Sequence, residues 1–348
     1  MNFQITKEMP YANNSQTEAK LSILYKNLKA YLKSINPDES LFFKVNEVVY
    51  IPDLHGDFVH LIVTLHRHGL LESEVLEPRF QLRKDFQYVF LGDFYDRAPD
   101  ADVIDYWLNR QITRGLKIYR LLGNHEFAFL IRKENGHPVI FPSQDSIKDM
   151  SNDFQITESL LKNIAEGNLL AAYVPHLPVL YIHSYAINND FPHLGLDQNT
   201  DITTFAIKLN ERLKQHGQKS YERFLHCKKI KNYSWEEIIK PFLDDPLFNI
   251  YTKKEDINTS LLWRRTGEPT LNTFPAELDA PIPDNVYQIV GHTPVFSFNL
   301  PSSQSVTEPF TMTAKSGAGK IQFSDVGIGY YYKSNSFERP EVSIKGLH

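Results

Sequence analysis

The chain has a single cysteine, Cys227, among 348 residues. One thiol cannot build an intramolecular disulfide framework, so the fold rests on its core, and the protein fits a reducing compartment. Positive charge is not in excess: the formal net charge is -5, and the longest basic cluster is the short stretch from His226 to Lys231. That balance argues against nucleic acid as a partner. Long apolar runs are missing as well. The most apolar stretch, Leu169 to Ile187, is broken by Pro175, His176, Pro178 and His183, so no membrane anchor is expected. Residues Met1 to Glu8 contain no basic segment leading into an apolar run, so no secretory signal is expected and a cytoplasmic location is. Internal repeats and low-complexity tracts are absent, and Pro301 to Ser305 reads as an ordinary loop.

What is present suits a folded enzyme-sized unit. The residues are 42% hydrophobic and 23% charged, and the chain reads as a single domain over 1–348 with a core at about 45–327. Leu21, Leu24, Leu28 and Tyr31 fall on one helical face, predicting an amphipathic helix over Thr17 to Ser34. Short β-rich runs then alternate with helical patterns, which predicts an α/β fold. The runs are 48–51, 88–91, 118–122, 179–182 and 286–290, and each leads into a polar cluster beginning at Asp53, Gly92, Gly123, His183 or Gly291. These clusters are expected along the carboxyl edge of one sheet, where α/β folds bind ligands. Two helix-prone insertions, 141–166 and 188–258, are expected to shape a substrate groove.

The clusters are Asp53-Leu54-His55-Gly56-Asp57, Gly92-Asp93-Phe94-Tyr95-Asp96-Arg97, Gly123-Asn124-His125-Glu126, His183 and Gly291-His292-Thr293. Singly each is a common loop sequence; jointly they are specific. The set resembles the PPP family of metallophosphatases, whose signatures are GDxHG, GDxxDRG and GNHE followed by two further histidines. The resemblance covers about Val45 to Gly327 and implies a metallophosphoesterase-type β-sandwich flanked by helices, with helical insertions. It implies that one metal is held by Asp53, His55 and Asp93, and a second by Asp93, Asn124, His183 and His292, with Asp93 bridging. The donor chemistry agrees. Imidazole with carboxylate suits manganese, the first expectation, and also iron or zinc. Six ligand groups exceed a mononuclear zinc shell, and a shared carboxylate sets two cations about 3.5–4 Å apart around a nucleophilic hydroxide.

In-line attack on phosphorus needs charge neutralised on the equatorial oxygens, which guanidinium groups do in bidentate form. Arg97 is the first candidate. The family's arginine after a buried tryptophan corresponds to Arg265 in Trp263-Arg264-Arg265, with Arg264 as the alternative. Asn124 is expected to touch phosphate as well. His125, oriented by Asp96, is expected to protonate the leaving alkoxide. His60, His66, His68, His137 and His176 read as surface or packing residues, Asp57 as a helix N-terminal residue, Asp325 as structural or supporting, and Glu126 as a support outside the metal shell.

Three positions depart from the family pattern without removing a ligand: Pro52, Ala98, and Ser184-Tyr185 after His183. With the insertions, they resemble the bacterial effector branch, including Wip-type effectors, which implies a host cytosol. The leading expectation is a monomeric serine/threonine phosphatase acting on a phosphoprotein. Bis-nucleoside polyphosphate hydrolysis, phosphotyrosine hydrolysis and a pseudophosphatase binding module are the alternatives.

Overall fold

The computed structural model describes residues 14–44, 47–72, 80–130, 153–249, 260–264, 281–295, 309–313, 319–329 and 341–345. A first helix, α1 (Asn14–Lys33), precedes a strand–helix alternation: β1 (Val48–Ile51), α2 (Phe58–Arg67), β2 (Gln87–Phe90), α3 (Ala101–Thr113), β3 (Lys117–Arg120) and α4 (Asn124–Leu130). There follow α5 (Asp153–Glu166), β4 (Ala172–Tyr173), β5 (Val179–Ile182), α6 (Asp190–His193), α7 (Ile202–Ile230) and α8 (Trp235–Leu243). The last elements are β6 (Tyr287–Pro294), β7 (Phe310–Thr313) and β8 (Lys320–Asp325).

These strands make two sheets, as a β-sandwich requires, so the expectation that all five clusters lie on one sheet is corrected. The first has the order β1-β2-β3 and is parallel throughout; the second has the order β4-β5-β6-β8-β7, with β5, β6 and β8 parallel. Clusters ending β1, β2 and β3 therefore belong to one sheet, and His183 and His292 to the other. Sequence periodicity cannot separate them, because parallel strands buried on both faces read as similar apolar runs. Two-residue β4 and edge strand β7 left no such run to read.

The sheets face each other through aromatic and polar contacts. Tyr119 on β3 stacks on Tyr173 on β4 with centroids 3.8 Å apart, and the Gln322 amide on β8 donates to the Tyr50 hydroxyl on β1 at 2.7 Å. In the first sheet Ile51 pairs with Phe90 and Phe90 with Arg120; in the second Ile182 pairs with Val290 and Val290 with Phe323. Both sheets thus end their parallel strands level, and the loops leaving those ends meet.

Local caps fix the helices against this core. Asp57 is the N-cap of α2, its carboxylate accepting the His60 N–H at 2.9 Å, as a helix-start acid should. Asp201 caps α7 through the N–H groups of Thr203 and Thr204. From α7, Asn210 bonds the backbone of Ala171 and Ala172, tying the second insertion to the sheet edge. The described parts of the two insertions are helical, as α5 through α8; residues 141–152 and 250–258 lie outside the described residues. Among the described residues no helix is long and apolar enough to cross a membrane.

Candidate metal centre

Where the strand ends meet, the loops gather Asp53, His55, Asp93, Asn124, His183 and His292, each no more than 2% exposed. Backbone bonds hold them there. The N–H groups of Leu54 and His55 both donate to the Asp93 carbonyl, at 3.0 and 2.7 Å. Across the sandwich, the His292 N–H donates to Asp53 Oδ2 at 2.9 Å. His55, Asp93, Asp96, Arg97 and His292 all have positive φ, between 46° and 78°. L-residues rarely adopt that conformation, and its clustering marks a loop constellation held against its own preference by the surrounding structure.

The imidazole of His183 shows how one ligand is aimed. Its Nδ1 lies 2.7 Å from the Leu91 carbonyl, which can only accept, so Nδ1 carries the proton and Nε2 keeps its lone pair. That Nε2 faces Asn124 Oδ1 at 2.9 Å and Asp93 Oδ1 at 3.4 Å, and His292 Nδ1 faces the same Asn124 oxygen at 2.7 Å. Four electron-pair donors therefore converge on one point. Three triads place one donor atom per residue within 4.8 Å of each other: His55, Asp93 and His125; Asp93, His183 and His292; Asp53, His55 and Asp325.

Several observations fit a cation pair here. Asp53 Oδ1 is buried with no hydrogen-bond partner among the described residues. Burial pushes the Asp53 carboxyl well above the usual range, with the Asp325 and Asp93 carboxylates adding to it; bound cations relieve that repulsion. Burial, His125 and Arg97 together hold His55 well below the usual imidazole range, as a neutral ligand requires. Glycines open the space. A β-carbon on Gly291 would fall 2.1 Å from Asp53 Oδ1, and one on Gly123 would fall 2.1 Å from Asp93 Oδ1.

Around this cluster stand the remaining polar residues. His125 Nδ1 lies 3.1 Å from Asp96 Oδ2, and its Nε2 3.6 Å from Asp93 Oδ2. Glu126 accepts N–H bonds from Gly123, Asp93, Phe94 and Tyr95. Burial and the Asp93 charge push its carboxyl up, while four donors to two oxygens favour the ionised form. Arg97 is partly exposed on the same loop. Lys20 of α1 clamps that loop from outside, bonding the Pro99 carbonyl at 2.7 Å and Asp102 at 2.9 Å. Asp325 ends β8 with its carboxylate beside Asp53 and His55, at the edge of the cluster. Nothing in the Phe323-Ser324-Asp325 string marks it; the register of β8 against β6 does.

Not all expected groups belong to this cluster. Arg264 is turned away, its guanidinium bonding Asp190 at 2.9 and 3.0 Å and the Tyr185 carbonyl at 2.7 Å. Tyr185 is itself buried, its ring centre 5.6 Å from the Arg264 guanidinium carbon. Arg265 and His137 lie outside the described residues. His60 and His68 are buried within or at the end of α2, His66 bonds the Ile35 carbonyl, and His176 is exposed.

Residues 47–296 match the family described as calcineurin-like phosphoesterase. The chain belongs to this family. Calcineurin-like phosphoesterases are dinuclear metal enzymes, and the matched span contains all six converging residues. A Caenorhabditis elegans protein provisionally named a serine/threonine-protein phosphatase is 31% identical over 121 residues, 32% of this chain and 24% of that protein. An uncharacterized Schizosaccharomyces pombe protein is 36% identical over 89 residues, 24% of this chain and 26% of its own length. The chain thus spans about a quarter of each of these relatives. Among solved structures, a cold-active protein-tyrosine phosphatase of a psychrophilic Shewanella species has a TM-score of 0.46 at 17% identity, over 87% of this chain and 77% of that one. The phosphatase domain of the Legionella effector WipB has a TM-score of 0.38 at 15% identity, over 72% of this chain and all of that one.

Proposed function

We propose that the protein is a dinuclear metal-dependent phosphomonoesterase of the PPP type acting on phosphoserine and phosphothreonine in proteins. The observation that carries this reading is the convergence of Asp93 Oδ1, Asn124 Oδ1, His183 Nε2 and His292 Nδ1 on one buried point, with the His125–Asp96 pair at its rim. Asp53, His55 and Asp93 would hold the first ion, and Asp93, Asn124, His183 and His292 the second. When bound, two such cations polarise phosphoryl oxygens and acidify a water held between them; manganese, iron and zinc all suit the donors.

The side chains supply the rest. Arg97, on the loop clamped by Lys20, and Arg265 bind the equatorial phosphate oxygens, with the Asn124 side chain beside them. The engagement of the Arg264 guanidinium by Asp190 supports Arg265 as the second guanidinium. His125 delivers a proton to the departing alkoxide, and the Asp96 carboxylate orients its ring. The departures at Pro52, Ala98 and Ser184-Tyr185 support an assignment to the Wip-type effector branch, working as a monomer in a host cytosol.

A substrate panel tests the reading. With manganese present, phosphoserine and phosphothreonine peptides should be turned over faster than phosphotyrosine peptides, and diadenosine tetraphosphate least. Exclusive turnover of the tetraphosphate, or of phosphotyrosine, would replace the substrate class. No turnover of any of them by protein carrying two metal equivalents would favour a binding module.

A further inference from the structure

Away from the metal centre, the second insertion builds a separate charged pocket. It lies between α7 and α8, has a volume of about 270 Å³, and is lined by Arg212, His216, Lys219, Arg223, Lys240, Pro241, Asp244 and Asp245. Arg212, His216, Lys219 and Arg223 recur at intervals of about one helical turn, so they form one stripe on α7. Like charges so spaced repel one another, and Lys240 from α8 adds to them. Four fixed cations face two carboxylates in a chain whose net charge is -5. Such concentration against the overall charge is the pattern of an anion site.

The pocket is built, not merely decorated. Asp245, 2% exposed, accepts from both Arg212 Nε and His216 Nε2, and Arg212 also donates to the His193 carbonyl. These bonds fix the guanidinium and the imidazole at the pocket wall. His216 Nδ1 is buried with no hydrogen-bond partner among the described residues. Arg223 is anchored through the Glu237 carbonyl. Lys219 and Lys240 are exposed and have no carboxylate partner among the described residues. One carboxylate thus positions two groups, while the two exposed ammonium groups are left to face a ligand. Through Phe242, whose ring meets His216 at 5.6 Å and Phe127 at 4.9 Å, the pocket adjoins the helix that carries Asn124 and His125.

We propose that this pocket is a second phosphate site, taking a phosphorylated side chain of the substrate other than the one being cleaved. It rests on the protein-phosphatase reading for its source and on the pocket alone for its chemistry. Fixed guanidinium with exposed ammonium groups suits a phosphate dianion.

The test uses matched peptides bearing one or two phosphoserines, with p-nitrophenyl phosphate as control, on the wild type and on Lys219→Ala/Lys240→Ala. Those two exposed lysines are outside the catalytic machinery. The wild type should show a KM about tenfold lower for the doubly phosphorylated peptide, the worth of a charge-assisted hydrogen bond. In the variant the two peptides should become equivalent while p-nitrophenyl phosphate turnover stays unchanged. Calorimetric titration with inorganic phosphate should find two equivalents per chain, and one in the variant. If no peptide is hydrolysed yet the second equivalent disappears in the variant, the phosphate site stands and the protein-phosphatase reading fails. Peptides that are turned over equally by the wild type, with a second equivalent still lost in the variant, would assign the pocket to free phosphate and overturn the substrate role. A single equivalent in both proteins would overturn the site.

Discussion

Asp93 links the metal cluster to the ring beside it: its Oδ1 accepts the His125 backbone N–H at 2.9 Å, and its Oδ2 lies 3.6 Å from His125 Nε2. One carboxylate therefore belongs to two triads of potential ligands, one with His183 and His292, the other with His55 and His125. Removing its charge should disturb both. In Asp93→Asn, metal content is expected to fall below one equivalent per chain, from about two. Activity should fall by more than about a hundredfold, since even outer-shell partners of metal ligands are worth 10–100-fold. Elemental analysis beside a phosphatase assay measures both. Two retained equivalents would remove Asp93 from the bridging position.

The His125–Asp96 contact at 3.1 Å gives a sharper expectation for proton delivery. A poor leaving group needs a proton in the transition state and nitrophenolate hardly does. His125→Ala should therefore slow phosphoserine peptides by roughly 10²–10⁴ while slowing p-nitrophenyl phosphate much less. Asp96→Asn should act in the same direction but more weakly. Equal losses on both substrates would mean that His125 serves the metal site and not the leaving group.

How much of this was legible beforehand divides by the range of the interaction. Asp53, His55, Asp93 and Asn124 stand within a few residues of apolar runs, and Gly92 and Gly123 punctuate the turns, so local pattern was enough to nominate them. That His183 and His292 stand on the second sheet is not legible in local pattern, because pairing of Ile182 with Val290 is set by packing over more than a hundred residues. The approach of the Asp325 carboxylate to Asp53 and His55 is set by strand pairing at the same long range. Arg264 and Arg265 are adjacent and chemically identical in sequence, and the carboxylate that engages Arg264, that of Asp190, lies far along the chain.

The glycine before His292 leads to a steric test. A methyl group at Gly291 meets Asp53 Oδ1 at 2.1 Å, far inside contact distance, in a region where backbone from two sheets is fixed. In Gly291→Ala the carboxylate is expected to be displaced from the cluster, with a loss of one metal equivalent. Circular dichroism should stay close to wild type, since the strands flanking it keep their register. Unchanged metal content would show that Asp53 tolerates the shift and is not a ligand.

The Arg264–Asp190 pair is buried on both sides, at 5% and 3% side-chain exposure. Truncating one partner leaves the other charge without compensation in the interior, at a cost of about 3–5 kcal/mol. Urea denaturation of Arg264→Ala should show a loss of that size. Replacing both residues, as Arg264→Met with Asp190→Leu, should recover part of it. A loss below about 1 kcal/mol in the single variant would place the pair in effective contact with water.

The last expectation concerns acid. His68, at the end of α2, is held at about 4, chiefly by burial, with the nearby Arg67 and Lys345 charges in the same direction and Thr64 and Asp38 opposing. Its Nδ1 donates to the Thr64 carbonyl and its Nε2 accepts the Ile344 N–H, an arrangement that requires the neutral ring. The folded value lies below the ordinary 6.5, so folding favours the unprotonated form. Its contribution is complete above pH 6.5, declines as pH falls towards 4, and is then constant. That window corresponds to roughly 3 kcal/mol. Between pH 7 and pH 4 the wild type should lose about that much more stability than His68→Gln, whose amide still accepts from Ile344 and cannot titrate. Other titrating groups are common to both proteins and cancel in the difference. Urea denaturation at matched pH values measures it, and parallel pH profiles would show that His68 meets solvent when protonated.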